Sequence, residues 1–249
     1  MSPTDTRRRG SALGAILVVC VALASAGCRP DYAKLEACTP AELIEIMRGG
    51  WWVNRSAAGA ELSLRAMRKP EIVRPVAEDI RKLLDSPYPE TRRWATCVLL
   101  RIDRFREEVT ASSKKMLAHK GKDNDATENR SKVLYHLVSN PFVLHECHDL
   151  VVRSLSDEDI IVVDAAVGCV QKEVESHPLD DAACVIRLLE ICRTNRGSLQ
   201  SDSLEALSRV TPHLRATVAN GLSTVRVLPG NEKRFAAAVE AASRREDEG

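Results

Sequence analysis

From residue 40 to residue 245, apolar side chains recur at intervals of three and four, the spacing of one helix face. Ile72, Val73, Val76, Ala77, Ile80, Leu83 and Leu84 share such a face, while Glu78, Arg81 and Lys82 lie opposite. Pro75 either kinks this helix or forms its first turn. Ala182, Val185, Ile186, Leu189 and Cys192 make another stripe. The stretch from Ile160 to Val170 is apolar around most of its circumference, which predicts a helix covered on several sides. Thr39-Pro40-Ala41-Glu42 reads as a capping box with proline in the first turn, and Asn140-Pro141 and Thr211-Pro212 repeat the cap-then-proline start. A last helix is expected over Glu232–Arg245, with Phe235, Ala236, Val239 and Ala242 on one side. Strand-like alternation is confined to a short piece, Thr224–Leu228. His119–Glu128 is charged, contains Gly121 and has no apolar anchor, so it reads as a loop.

The helices come in similar pairs. Leu83-Leu84-Asp85-Ser86-Pro87-Tyr88-Pro89-Glu90-Thr91-Arg92-Arg93-Trp94-Ala95 is a helix end, a tight turn and a new helix with a buried alanine. Leu155-Ser156-Asp157-Glu158-Asp159 followed by Val162–Ala166 repeats the arrangement, and Ser201–Ala206 is expected to repeat it again. Aligning the small or apolar residue of each unit gives Ala58, Ala95, Val133, Ala166, Ala206 and Ala238, spaced about 32 to 40 residues apart, the period of helical-pair solenoids.

On these residues the chain resembles the HEAT-repeat family. The 83–95 stretch carries the specific part of the likeness, with Arg92 or Arg93 as the arginine that precedes the buried alanine. The copy at 155–166 is partial, with Val163 and Asp164 where the arginine would stand. The resemblance puts this motif in the first helix of a repeat. It implies an all-α fold, an α-α superhelix of about five to six helical pairs over residues 39–245, with a binding surface and no particular chemistry. A helix pair cannot bury its stripe alone, and stacked neighbours complete the core.

Ahead of the repeats, Arg7-Arg8-Arg9 precedes an uncharged apolar run from Ser11 to Ala26, which ends in Ser25-Ala26-Gly27-Cys28. The run is short for a permanent span, which needs about 20 apolar residues. The sequence resembles a bacterial lipoprotein signal, with Ser25 in place of the usual leucine. That resemblance implies removal of residues 1–27 and transfer of a diacylglycerol to the Cys28 thiol, a lipid anchor with acyl chains of the palmitate type; residues 28–38 then read as the lipidated cysteine and a tether. Arg29 is not the aspartate that retains proteobacterial lipoproteins in the inner membrane. The expected location is therefore an outer membrane, facing the periplasm.

Composition adds few constraints. Of 249 residues, 29% are charged and 4% aromatic. Loss of the signal removes Arg7, Arg8, Arg9 and Asp5 and takes the net charge from +1 to about −1. A near-neutral surface argues against non-specific nucleic-acid binding. Beyond Cys20 and Cys28, six cysteines remain: Cys38, Cys97, Cys147, Cys169, Cys184 and Cys192. Most fall on apolar helix faces, which favours buried free thiols, with one bridge between neighbouring helices still open. Residues 246–249 form a charged tail.

Candidate chemistry is sparse. His145-Glu146-Cys147-His148 suggests a metal cluster, but His145 lies about 160° around a helix from Cys147, so only His145 and His148 are weak metal candidates. Asp123, Asp125 and Glu128 lack the spacing of a calcium loop. Trp51-Trp52 is the partner-binding candidate: either both rings are buried at the first repeat, or one caps it while the other meets a partner or the membrane interface. Trp94 reads as core. No nucleophile elbow, phosphate loop or dinucleotide fingerprint appears, and no cofactor is implied. The pattern therefore predicts a lipid-anchored, non-enzymatic scaffold whose partners are the bilayer and another envelope protein, not nucleic acid. A ligand- or metal-binding envelope sensor is the alternative, and a HEAT-like lyase ranks behind both.

Overall fold

The computed structural model describes residues 30–119, 121, 124–194 and 197–244, with backbone alone at 124 and 125. The signal segment 1–27, Cys28, Arg29 and the tail 246–249 lie outside the described residues. Within them every regular element is helical. The one β-type pairing is a single parallel bridge, Leu179 to Val210, between two connecting segments. Thr224–Leu228 is therefore not a strand. Its backbone is held by a side chain instead, as Leu228 N–H donates to Gln200 Oε1 at 2.8 Å.

A short helix α1 (Tyr32–Ala37) leads into six pairs. They are α2 (Pro40–Gly49) with α3 (Trp52–Arg68); the broken helix α4 (Pro70–Val73) and α5 (Ala77–Lys82) with α6 (Pro89–Ile102); and α7 (Arg106–Ala118) with α8 (Asn124–Leu137). Then follow α9 (Pro141–Glu146) and α10 (His148–Ser154) with α11 (Ile160–Val174), α12 (Ala182–Arg193) with α13 (Gly197–Leu207), and α14 (Arg215–Leu222) with α15 (Glu232–Ser243). The second helices α3, α6, α8, α11, α13 and α15 pack in chain order as one layer, and the first helices cover one side of it. This is an α-α superhelix of stacked helical pairs. Its opposite side, the inner face, carries no covering layer.

The aligned small residues explain the stacking. Ala58, Ala95, Val133, Ala166, Ala206 and Ala238 fall one to each inner helix, and all six are fully buried. A small side chain there lets three helices approach closely. At Gly59 the approach is closer still: a Cβ would stand 2.4 Å from Trp94 Cγ, so α6 lays its tryptophan directly on the α3 backbone.

Local signals act as their chemistry dictates. Thr39 Oγ1 accepts from Glu42 N–H while the Glu42 carboxylate accepts from Thr39 N–H, a complete capping box. Asn140 Oδ1 accepts from Val143 N–H at 3.2 Å. Thr211 departs from this, because its hydroxyl turns to Asp180 Oδ1 at 2.8 Å and the proline opens a single 3-10 turn. Pro75 sits in a 3-10 turn that breaks its helix, as a missing N–H requires.

Other expectations are corrected. The motif at 83–95 opens the second helix of a pair, not the first, because α6 lies in the inner layer. Ser201–Ala206 lies inside α13 rather than at a turn. The loop expected at 119–128 ends early, with α8 beginning at Asn124. The tether over 28–38 contains α1, whose end carbonyls are capped by a distant arginine: Arg65 donates to Leu35 O at 3.1 Å, Glu36 O at 3.0 Å and Cys38 O at 2.6 Å. Ile160 and Ile161 are exposed at the start of α11, where the covering helices have not yet reached it.

Candidate functional site

The inner face is built from the residues of each second helix that point away from the outer layer. On α6, Thr96 faces outward, sharing a hydrogen bond with Ser112 of α7 at 2.8 Å. Helical rotation then turns Trp94 and Arg101 inward. On α8, Val133 and Leu137 are fully buried and Tyr135 points the other way, 60% exposed.

Where α6 meets α8 these residues form an aromatic and cationic seam. Trp94 and His136 meet edge to face with centroids 6.4 Å apart, and Tyr135 meets His136 in the same manner at 5.4 Å. Trp94 Nε1 donates to Ser56 Oγ on α3 at 3.2 Å, which fixes the indole. Arg101 Nε donates to His136 Nδ1 at 3.1 Å, so that nitrogen is the acceptor and His136 is neutral. Burial, then the charges of Arg101 and Lys132, push the His136 imidazole down to about 4. Lys132 Nζ lies 6.0 Å from the Trp94 ring centroid. Neither Arg101 nor Lys132 forms an ion pair among the described residues. Arg93, by contrast, is 3% exposed, donates to Asn129 Oδ1 at 3.0 Å and lies 3.2 Å from Glu128 Oε2.

Further along the inner face the charge reverses. Asp164 on α11 is exposed, and Asp202 on α13 has its pKa raised by burial and then by the charge of Asp164. Glu205 adds a third carboxylate, with Arg234 of α15 at 3.5 Å. The inner face thus runs from a cationic, aromatic half over pairs two and three to an acidic half over pairs four and five.

The residues singled out in the sequence are placed as follows. Cys28 lies outside the described residues. Trp51 and Trp52 are 63% and 58% exposed, so neither ring is buried. They stand at the start of α3, thirteen residues from Arg65, where α1 is pinned; that is about 20 Å along the helix. Trp94 is core, as its spacing implies. His145 is exposed at the end of α9. His148 is half-buried: its Nδ1 lies 2.9 Å from Glu173 Oε2 and its Nε2 3.0 Å from Asp181 Oδ2. Both nitrogens are engaged, and no group of three or more His, Cys, Asp or Glu is placed to hold a metal among the described residues. Of the calcium-like trio, Asp123 and the Asp125 side chain lie outside the description, and Glu128 pairs with Arg93. The six cysteines from Cys38 onward are free, and all but Cys38 are buried.

Sequence reading missed the devices that join one pair to the next. Arg55 Nε donates to Glu90 Oε1 at 2.8 Å and stacks over Tyr88 at 3.6 Å, Arg93 reaches Glu128, and Arg130 Nε lies 2.9 Å from Asp157 Oδ2. Each of these three arginines lies on an inner helix and meets a carboxylate at or before the next inner helix. Arg55, Arg92 and Arg130 stand three residues before Ala58, Ala95 and Val133, a register that would have revealed two of the three. The ladder stops at Val163. Beyond it Gln200, fully buried, donates to Cys192 O at 2.9 Å and Arg226 O at 2.8 Å, and accepts from Asn231 Nδ2 at 3.0 Å.

No family model matches the sequence, and no curated protein matches it. Among solved structures, an engineered protein is similar with a TM-score of 0.59 at 13% identity, over 84% of this chain and 58% of that one. The archaeal HEAT-like repeats protein from Thermococcus onnurineus NA1 aligns with a TM-score of 0.46 at 15% identity, over 82% and 80% of the two chains. The structure of the Pds5–Scc1 complex aligns with a TM-score of 0.43 at 13% identity, over 80% of this chain and 31% of that one. The chain spans little more than half the length of the engineered protein, and its likeness to that protein is one of fold.

Proposed function

We propose that this chain is a non-enzymatic protein-interaction scaffold of the bacterial cell envelope, held at a membrane through acylated Cys28. The observation that carries the interaction half is the uncovered inner face, where Tyr135 stands exposed beside two cations without carboxylate partners. A superhelix offers such a face as an extended surface for a partner. The exposed Trp51 and Trp52 supply a second contact point at the first pair.

The anchor half rests on the residues around Cys28 described above. Only Arg29, Pro30 and Asp31 separate Cys28 from α1, so a lipid there would hold the first pair close to the bilayer. Among the described residues no helix is long and apolar enough to cross a membrane. With an acylated cysteine, at least two chains are needed for stable attachment. Mass spectrometry of the protein's native N-terminus tests this: a triacylated or diacylated Cys28 is expected, and an unmodified Cys28 contradicts it. Pull-down of envelope proteins with the protein tests the interaction half. Capture of a defined partner is expected, weakened by Tyr135→Ala or Trp52→Ala, and a silent pair of variants removes the support for this surface.

A further inference from the structure

We propose that the inner face binds an acidic peptide segment of its partner, with the segment's carboxylates against Arg101 and Lys132 and its backbone running over Tyr135 towards the Asp164–Asp202 end. The proposal rests on the scaffold reading above and names the chemistry of its partner.

Three observations argue for it. Arg101 is fixed by its hydrogen bond to His136, and Lys132 stands over the Trp94 ring, so both cations are held in place before anything binds. Because His136 accepts rather than competes for charge, it leaves the outer guanidinium nitrogens of Arg101 to meet a carboxylate. Tyr135, edge-on to His136, presents a large and rigid ring beside them. An arginine, a lysine and an anchored aromatic side by side make a site organised in advance, which lowers the ordering cost of docking.

The rest of the face selects among anionic ligands. Asp164, Asp202 and Glu205 occupy the same surface two pairs on, and a nucleic-acid backbone laid along it would bring phosphates against them. A peptide whose charge changes along its length meets no such conflict. A second copy of the chain is the competing occupant of such a face, and the oligomeric state decides against or for it. An extended segment, acidic where it meets Arg101 and Lys132, satisfies the charge order.

The test uses the full chain in detergent and a fluorescein-labelled decapeptide, with Glu and Gly alternating in its first half and Lys and Gly in its second, followed by anisotropy at about 50 mM salt, where charge contacts are weakly screened. The same peptide with Gln for Glu and a single-stranded DNA decamer serve as comparisons. Binding of the Glu peptide is expected to be about tenfold tighter than that of the Gln peptide, and Lys132→Gln or Arg101→Lys to remove most of that preference. The Lys132 side chain is partly exposed and makes no hydrogen bond among the described residues, so its variant keeps the fold. Asp202→Asn is expected to leave the preference intact. Equal binding of Glu and Gln peptides, an unchanged Lys132→Gln variant, or tighter binding of the DNA each overturn the proposal, as does dimerisation abolished by Lys132→Gln. If a defined partner still crosslinks at position 135 while the Glu peptide fails, the scaffold reading survives and the acidic ligand does not.

Discussion

At the scale of single residues, close approach decides more than charge. Gly59 is required because the Trp94 side chain occupies the space where a Cβ would be. Gly59→Ala must push α6 away or turn the indole, which breaks the bond to Ser56 as well. Overpacking of this kind costs about 1–3 kcal/mol. Thermal or denaturant unfolding should show that loss, and an unchanged midpoint would mean the contact is not tight. The cysteines make a second case. Burial pushes the Cys97 thiol up to about 12 and Cys147 up to about 11, and it raises Cys169 and Cys184 as well. Thiolate is the reactive form. Iodoacetamide labelling of the native protein read by peptide mass spectrometry should therefore modify Cys38 and spare Cys97, Cys147, Cys169, Cys184 and Cys192 until denaturant is added.

At the scale of elements, the joints between pairs are polar. Arginine–carboxylate contacts join the first four pairs, and Gln200 ties the fifth pair to the 226–231 connection of the sixth. His148 adds a clamp among α10, α11 and α12. Its hydrogen bond to Glu173, then the charge of Glu173 and the contact with Asp181, outweigh burial and raise it to about 9. A base held above its ordinary value of 6.5 contributes fully below about pH 6.5 and loses that contribution as the pH rises through about 9. With the ring partly exposed, the contribution is on the order of 2 kcal/mol. Buried thiols also lower stability at alkaline pH, so the informative quantity is the difference between the protein and His148→Gln. That difference should be largest near pH 6 and shrink towards pH 9; a constant difference would show that His148 is not charged in the fold.

These joints also mark where sequence legibility ends. The pairing and its register could be read because one small residue recurs in every inner helix and must be buried there. The capping box and the 83–95 turn are local, so their residues announce themselves. The pinning of α1 by Arg65, the partners of His148 and the setting of Gln200 all join positions about 25 to 35 apart. Only the stacking of helices brings them together. The same holds for the inner seam: Trp94 and Arg101 lie on one helix, Lys132, Tyr135 and His136 on another, and neither stretch carries a motif. Trp51 and Trp52 illustrate the opposite error. A sequence rule that buries large rings has nothing to bury them against at the open end of a stack.

At the scale of the whole molecule, a superhelix covered on one side and bare on the other has a built-in direction of contact. The bare side carries a cationic half, an acidic half and one large exposed ring at Tyr135, while the outer layer presents isolated apolar residues such as Ile186 on α12. The inner face is the proposed docking surface. That role is tested most directly by incorporating a photo-reactive benzoylphenylalanine at position 135 or, separately, at position 186 of the full chain and irradiating living cells. Position 135 should yield one discrete crosslinked species that position 186 does not, and Lys132→Gln should diminish it. A crosslink from position 186 alone, or the same diffuse pattern from both, would contradict the claim.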